Sequence, residues 1–133
     1  MTTKRGAQTP RDLLAAYVER VAAGDVAGIV GSYAADAVVT LPSGREAAGP
    51  EAIGVAFRAV VGSGVALPVD DSVVDAARVI ETGSLSMVSF TGLDGAVRTM
   101  VAWRGQEGWA WVRDGSMLRD VEAALGTRLV DVA

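Results

Sequence analysis

The sequence predicts an α+β domain in which helices come first and an antiparallel meander follows. Three observations carry that prediction. Residues 9–33 hold two stretches with apolar side chains at helical spacing, and residues 49–64 hold a third. From Leu67 onward the apolar period changes to two. Gly-containing turns then recur at Glu81-Thr82-Gly83, Leu93-Asp94-Gly95 and Gln106-Glu107-Gly108, as in a run of hairpins.

Each element has a local reason. Thr9 is an N-cap with Pro10 at the first helical position and Asp12 near the positive end of the helix dipole. Leu14, Tyr17, Val18 and Val21 share one face of this first helix. Gly24 can end it in a left-handed conformation, and Asp25 caps a shorter second helix whose apolar face is Ile29, Val30 and Tyr33. The β-branched residues Val38, Val39 and Thr40 form a strand that stops at the turn cluster Pro42-Ser43-Gly44. Gly49-Pro50-Glu51 opens the third helix, lined by Ile53, Ala56, Phe57 and Val60. Strands are expected at Ser72–Ile80, Ser84–Thr91, Ala96–Arg104 and Trp109–Arg113. Met117, Val121, Ala124 and Leu125 are spaced for a short C-terminal helix.

Composition narrows the function classes. At 133 residues and 50% hydrophobic, residues 1–133 are expected to form one domain with a sizeable core. The chain has no cysteine and no histidine. Thiolate chemistry, Ser-His-Asp and Cys-His catalysis are therefore excluded, and no metal site is expected. Asp70, Asp71 and Asp75 lack the spacing of a cation loop and fit a solvated strand edge. The net charge of −4 argues against a nucleic-acid partner. No apolar run approaches the ~20 residues of a membrane span. Without an apolar segment after Lys4 and Arg5, a cytoplasmic location is expected.

The order helix, helix, strand, Pro-Gly turn, Gly-Pro-Glu helix and meander resembles the nuclear transport factor 2-like (NTF2-like) superfamily. The carrying residues are Ala23-Gly24-Asp25, Ser32-Tyr33-Ala34-Ala35-Asp36-Ala37-Val38-Val39 and Gly49-Pro50-Glu51-Ala52-Ile53, supported by Gln106-Glu107-Gly108-Trp109 through Arg113-Asp114. The similarity spans about residues 10–116, with 117–133 as a C-terminal extension that covers the mouth of the fold or packs on a neighbouring subunit. The resemblance implies a cone: helices lie in the concave face of a curved, mixed or antiparallel sheet around an apolar pocket. It also implies homodimers formed through the sheet. No cofactor is expected.

Because this scaffold hosts isomerases, epoxide hydrolases, polyketide cyclases and pure binding modules, function must be argued from positions. Tyr17 matches the tyrosine donor of the ketosteroid isomerases. Their general base should stand where this chain has Leu41, and their second acid where it has Met100. Neither side chain can move a proton. Arg98 fits the central arginine of the Asp-Arg-Asp arrangement of limonene-epoxide hydrolases, but Met100 again replaces its carboxylate. Asp114 is the acid that remains, and a one-residue change of register reverses its side.

Alternation from Met100 places Arg98 and Ala102 inward, together with Met87, Ser89, Trp109, Trp111 and Arg113. Tyr33, Leu41, Phe57, Met87, Met100, Trp111 and Arg113 are therefore the expected substrate-binding residues, and Tyr17, Arg98 and Asp114 the expected catalytic ones. Tyr17 would donate a hydrogen bond, Arg98 or Arg113 would hold an oxyanion, and Asp114 would act as acid or base. A buried arginine requires a carboxylate partner or an anionic ligand. The expected function is SnoaL-like secondary metabolism: cyclisation, isomerisation or hydration of a hydrophobic small molecule. The alternative is a non-catalytic ligand-binding or dimerisation module.

Overall fold

The computed structural model describes residues 7–119 and Val121. Four helices, α1 (Pro10–Ala23), α2 (Val26–Gly31), α3 (Gly49–Ser63) and α4 (Asp71–Ala76), pack on one curved six-stranded sheet. The strands are β1 (Tyr33–Thr40), β2 (Glu46–Ala48), β3 (Arg78–Thr82), β4 (Leu85–Thr91), β5 (Val97–Gly105) and β6 (Gly108–Asp114). Their order is β2-β1-β6-β5-β4-β3, antiparallel throughout except for the parallel pair β1 and β6. This is the α+β cone expected from the sequence.

Local chemistry sets the helix ends. The Thr9 hydroxyl accepts the Asp12 amide at 3.0 Å, and Gly24 closes α1 at φ 67°, where its amide reaches the Arg20 and Val21 carbonyls. The Asp25 carboxylate accepts the Gly28 amide at 2.9 Å to start α2. Leu13, Leu14, Tyr17 and Val18 of α1 meet Ile53, Ala56, Phe57 and Val60 of α3 in a common core over the sheet.

Two segments differ from the sequence expectation. Residues 71–76 form helix α4 rather than the start of a strand, and β3 begins only at Arg78. The Asp70 carboxylate caps it by accepting the Ser72 amide at 2.8 Å, and Val73 and Ala77, four residues apart, are buried. Cap and helical burial outweigh the strand preference of Val73 and Val74. Likewise α2 ends at Gly31, so Tyr33 opens β1 instead of closing a helical face. Beyond β6 the chain turns, and Met117 and Leu118 are buried in the core. Most of the expected C-terminal helix lies outside the described residues.

Candidate acid–tyrosine site

The inward side chains of the sheet form cross-strand rows. Ser86, Ala102, Trp111 and Tyr33 make one row over β4, β5, β6 and β1. Val88, Met100, Asp114 and Val39 make the next, and Phe90 and Arg98 a third. Asp114 owes its place to a bulge. Ala102 pairs with Trp111 but Val101 pairs with Arg113, which leaves Val112 as an extra residue on β6. The extra residue reverses the alternation, so Arg113 points outward and Asp114 inward, with only 1% of Asp114 exposed.

Three sequence expectations fail here, at Arg113, Met87 and Ser89. Arg113 is exposed because of this bulge, and its guanidinium donates to the Val112 carbonyl at 2.8 Å. It therefore lines no interior. Met87 is 47% exposed, because on β4 the residues that enter the core are Ser86, Val88 and Phe90. Met87 pairs with Val101, an outward residue, rather than with Met100. Ser89 follows Met87 to the outer side, where its hydroxyl meets that of Thr99 at 3.0 Å. Arg98, Met100, Trp109 and Trp111 do face inward.

Asp114 ends a continuous hydrogen-bonded chain. The Tyr33 hydroxyl donates to Asp114 Oδ2 at 2.7 Å, and the Tyr17 and Tyr33 hydroxyls are 2.8 Å apart. The other carboxyl oxygen, Oδ1, accepts the Ser116 and Met117 amides at 3.2 and 2.9 Å. Tyr17 is held by packing as well: its ring meets Tyr33 and Trp111 edge-on, with centroids 5.9 and 5.8 Å away. Phe57 lies against the other side of Tyr33 at 6.0 Å.

Burial dominates the electrostatics. It pushes the Asp114 carboxyl above its usual value. The Tyr33 hydroxyl, the Met117 and Ser116 amides and the positive field of Arg98 pull it partly back. Both tyrosine hydroxyls are driven well above the ordinary phenol value, first by burial and then by the Asp114 charge. Burial therefore favours the neutral form of all three groups.

Arg98 is inward and 2% exposed. Its two terminal nitrogens grip the two Asp94 oxygens, each at 2.9 Å, in a fork across the turn between β4 and β5. Asp94, in turn, is held below the usual carboxylate range by that guanidinium. Arg98 thus has the carboxylate partner that burial demands. That partner stands four residues upstream, in the Leu93-Asp94-Gly95 turn.

Leu41, Met100 and Trp111 are buried at 1%, 0% and 0% exposure. A groove of about 390 Å³ lies between the C-terminal ends of α1 and α3, lined by Val21, Ile29, Phe57, Val60, Val65 and Leu67 among others. A second cavity of about 580 Å³ is bordered by Asp12, Leu13, Arg20, Ser32, Glu107 and Trp109. Of the expected ligand-binding residues, Phe57 alone borders either cavity. Among the described residues, no three acidic side chains gather as a metal site would require. No helix among them is long and apolar enough to cross a membrane.

A family model for the SnoaL-like domain matches residues 14–119. The chain belongs to the SnoaL-like family. No curated protein matches this SnoaL-like chain. Solved structures share its fold at low identity. An NTF2-like protein with a cystatin-like fold from Novosphingobium aromaticivorans is 22% identical over 90% of this chain and 85% of that one, with a TM-score of 0.60. A candidate calcium/calmodulin-dependent protein kinase type II association domain from Thiobacillus denitrificans is 16% identical over 84% and 96%, with a TM-score of 0.63. A candidate dehydratase of the NTF2-like family from Streptomyces avermitilis is 16% identical over 77% and 88%, with a TM-score of 0.59.

Proposed function

We propose that this SnoaL-like protein is a small-molecule enzyme that moves a proton on a hydrophobic substrate, in an isomerisation, cyclisation or hydration. The observation that carries the reading is the buried Asp114 carboxyl joined through Tyr33 to Tyr17. With Asp114 protonated, the three hydroxyl-bearing groups can all donate in one direction, and Tyr17 presents its hydrogen to a substrate oxygen. With Asp114 ionised, the polarity reverses and Tyr17 offers a lone pair instead. Tyr17 then ends the chain and Asp114 is the reservoir behind it; because Tyr17 is fully buried and borders neither cavity, substrate reaches its hydroxyl only by displacing core side chains. Arg98 acts by its charge, which keeps the Asp114 carboxyl from rising further. The substrate's apolar body suits the groove that shares Phe57 with the tyrosine pair.

The test is turnover of a β,γ-unsaturated cyclic ketone to its conjugated isomer, followed by ultraviolet absorbance. Asp114→Asn should lower the rate at least about 10²-fold, the usual contribution of one acid–base group. A parent protein no faster than Asp114→Asn contradicts proton-transfer chemistry on that substrate class. The non-catalytic reading is favoured by one observation: Leu41 and Met100, at the ketosteroid-isomerase acid positions, are fully enclosed in apolar core.

We further propose a homodimer formed over the outer face of the sheet. Ile80, Leu85, Met87 and Trp103 are 46–62% exposed there, and Ile80–Met87 and Leu85–Trp103 are cross-strand neighbours. A contiguous apolar surface of this kind is characteristic of a protein interface, and a second copy presents the same surface.

A further inference from the structure

The second cavity, of about 580 Å³, shares no lining residue with the groove assigned to substrate, and none of Tyr17, Tyr33 and Asp114 borders it. One wall is a row on α1: Asp12, Ala16 and Arg20, four residues apart, stand on one side of the helix. Gly28 and Ser32 face that row from α2 and its C-terminal end, and Glu107 and Trp109 from the β5–β6 hairpin. The floor is apolar, with Leu13 and Trp109 buried. The charges are separated. Asp12 and Arg20 lie eight residues apart, about 12 Å along the helix axis. On β6 the Trp111 amide donates to the Ser32 carbonyl at 2.8 Å and the Trp109 amide to the Ala7 carbonyl at 3.0 Å. Arg20, bonded to Ser32, therefore holds one end, and Glu107 lies beyond the other, toward residues 7–12.

Arg20 is half-buried and held in position. Its guanidinium donates to the Ser32 hydroxyl at 3.2 Å, and that hydroxyl donates to the Gly28 carbonyl at 3.1 Å. Its stem crosses α2 where only glycine leaves room: a Cβ on Gly28 would lie 2.9 Å from Arg20 Cδ and 2.3 Å from Asp25 Oδ2. Ser32 takes one of its five N–H donors. Among the described residues no carboxylate lies within ion-pair distance of Arg20, and neither Asp12 nor Glu107 pairs with a cation. Arg104 adds no charge to the lining, because it lies over the Trp109 ring, 5.6 Å from the centroid.

We propose that this cavity binds a zwitterion whose carboxylate meets Arg20, whose ammonium meets Asp12 and Glu107, and whose hydrocarbon chain lies over Leu13, Ala16 and Trp109. A simple carboxylate would leave two acids facing its apolar tail, and a simple amine would leave Arg20 without an anion. A phosphate dianion would be opposed by a lining with two acids and one base. An α-amino acid joins its charges at one carbon and cannot serve both ends. The ligand class is therefore an ω-amino acid, charged at the two ends of an alkyl chain. The site is independent of the proton-transfer reading.

The experiment uses the full chain, ¹⁵N-labelled, with 6-aminohexanoate, hexanoate and hexylamine as probes. These share an alkyl chain and differ in which ends are charged. The chain has three tryptophans, so three indole N–H signals are assigned with Trp103→Phe, Trp109→Phe and Trp111→Phe. The zwitterion is expected to shift the Trp109 signal saturably and to leave that of Trp103, on the outer face, in place. It should bind at least about fivefold tighter than either singly charged probe, the margin of one solvent-screened ion pair. Arg20→Gln should lower its affinity to that of hexylamine, and the double variant Asp12→Asn/Glu107→Gln to that of hexanoate. Equal binding of the three probes, no saturable Trp109 shift, or a folded variant that keeps the zwitterion preference overturns the site. The comparison in the parent protein decides even if a variant fails to fold. Ketone isomerisation dependent on Asp114 would stand whichever way this result falls.

Discussion

Asp114 stands directly across the β5–β6 ladder from Met100, and both side chains enter the core. An apolar residue at an expected acid position is thus accompanied by a carboxyl on the next strand. The Val112 bulge makes this possible, and the tyrosine pair gives the displaced carboxyl its partners.

The burial of that carboxyl predicts an unusual pH dependence. Its folded value lies above that of an ordinary carboxylate, because the group is buried. The folded chain therefore keeps a proton that the unfolded chain releases. Stability from this group is greatest below the unfolded value and is lost as pH rises through the folded one. Asp114→Asn removes the titration while preserving a donor and acceptors. Thermal unfolding from about pH 4 to about pH 8 should therefore cost the parent more stability than the variant. Parallel curves would show that Asp114 does not titrate differently in the two states.

Tyr33 bonds at both ends and Tyr17 at one, within the chain that leads to Asp114. Tyr33→Phe should cost about 1–3 kcal/mol in denaturant unfolding, since it leaves the Tyr17 hydroxyl and Asp114 Oδ2 without their partner. Tyr17→Phe should cost less. If the relay carries catalysis, Tyr33→Phe and Tyr17→Phe both lower kcat with less effect on KM. A Tyr17→Phe/Tyr33→Phe double variant whose loss equals the sum of the two single losses would show that the hydroxyls are independent rather than linked.

The Asp94–Arg98 fork should be structural. Gly92 sits beneath it, and an added Cβ there would lie 2.4 Å from a terminal Arg98 nitrogen and 3.0 Å from the Pro68 carbonyl. The enclosed guanidinium has little room to yield. Gly92→Ala should lower Tm more than Asp94→Asn, which keeps the shape and loses the charge. An unchanged Tm for Gly92→Ala would refute the close approach.

The outer face gives an oligomer prediction. Met87→Glu and Trp103→Glu place charge where the sheet is exposed and apolar. In sedimentation, the parent is expected as a dimer and the double variant as a folded monomer. A monomeric parent, or a double variant that remains dimeric, contradicts this interface.

Much of the fold was legible because local signals agreed. Thr9, Gly24, Asp25 and Pro50 act in the structure as caps and first-turn residues, as their types imply. The errors arose where a long-range or competing signal decided. Val73 and Val74 favour a strand, but the Asp70 cap holds α4. On β4 alternation fixes a period and not a phase, so the expected inward residue Met87 faces out and its neighbour Ser86 faces in. The same ambiguity governed Arg113 and Asp114, where one bulged residue decides the side. Tyr17, Tyr33 and Asp114 were each named from the sequence, but their linkage joins residues 81 positions apart and appears only in three dimensions.

The most direct measurement of the central claim is the carboxyl titration of Asp114 by ¹³C NMR in the full chain. Asp114 should titrate above the ordinary carboxylate range, and higher still in Tyr33→Phe, where the hydrogen bond that favours the charged form is gone. Titration at or below the ordinary value, or no change in Tyr33→Phe, would contradict a buried proton reservoir coupled to the tyrosines.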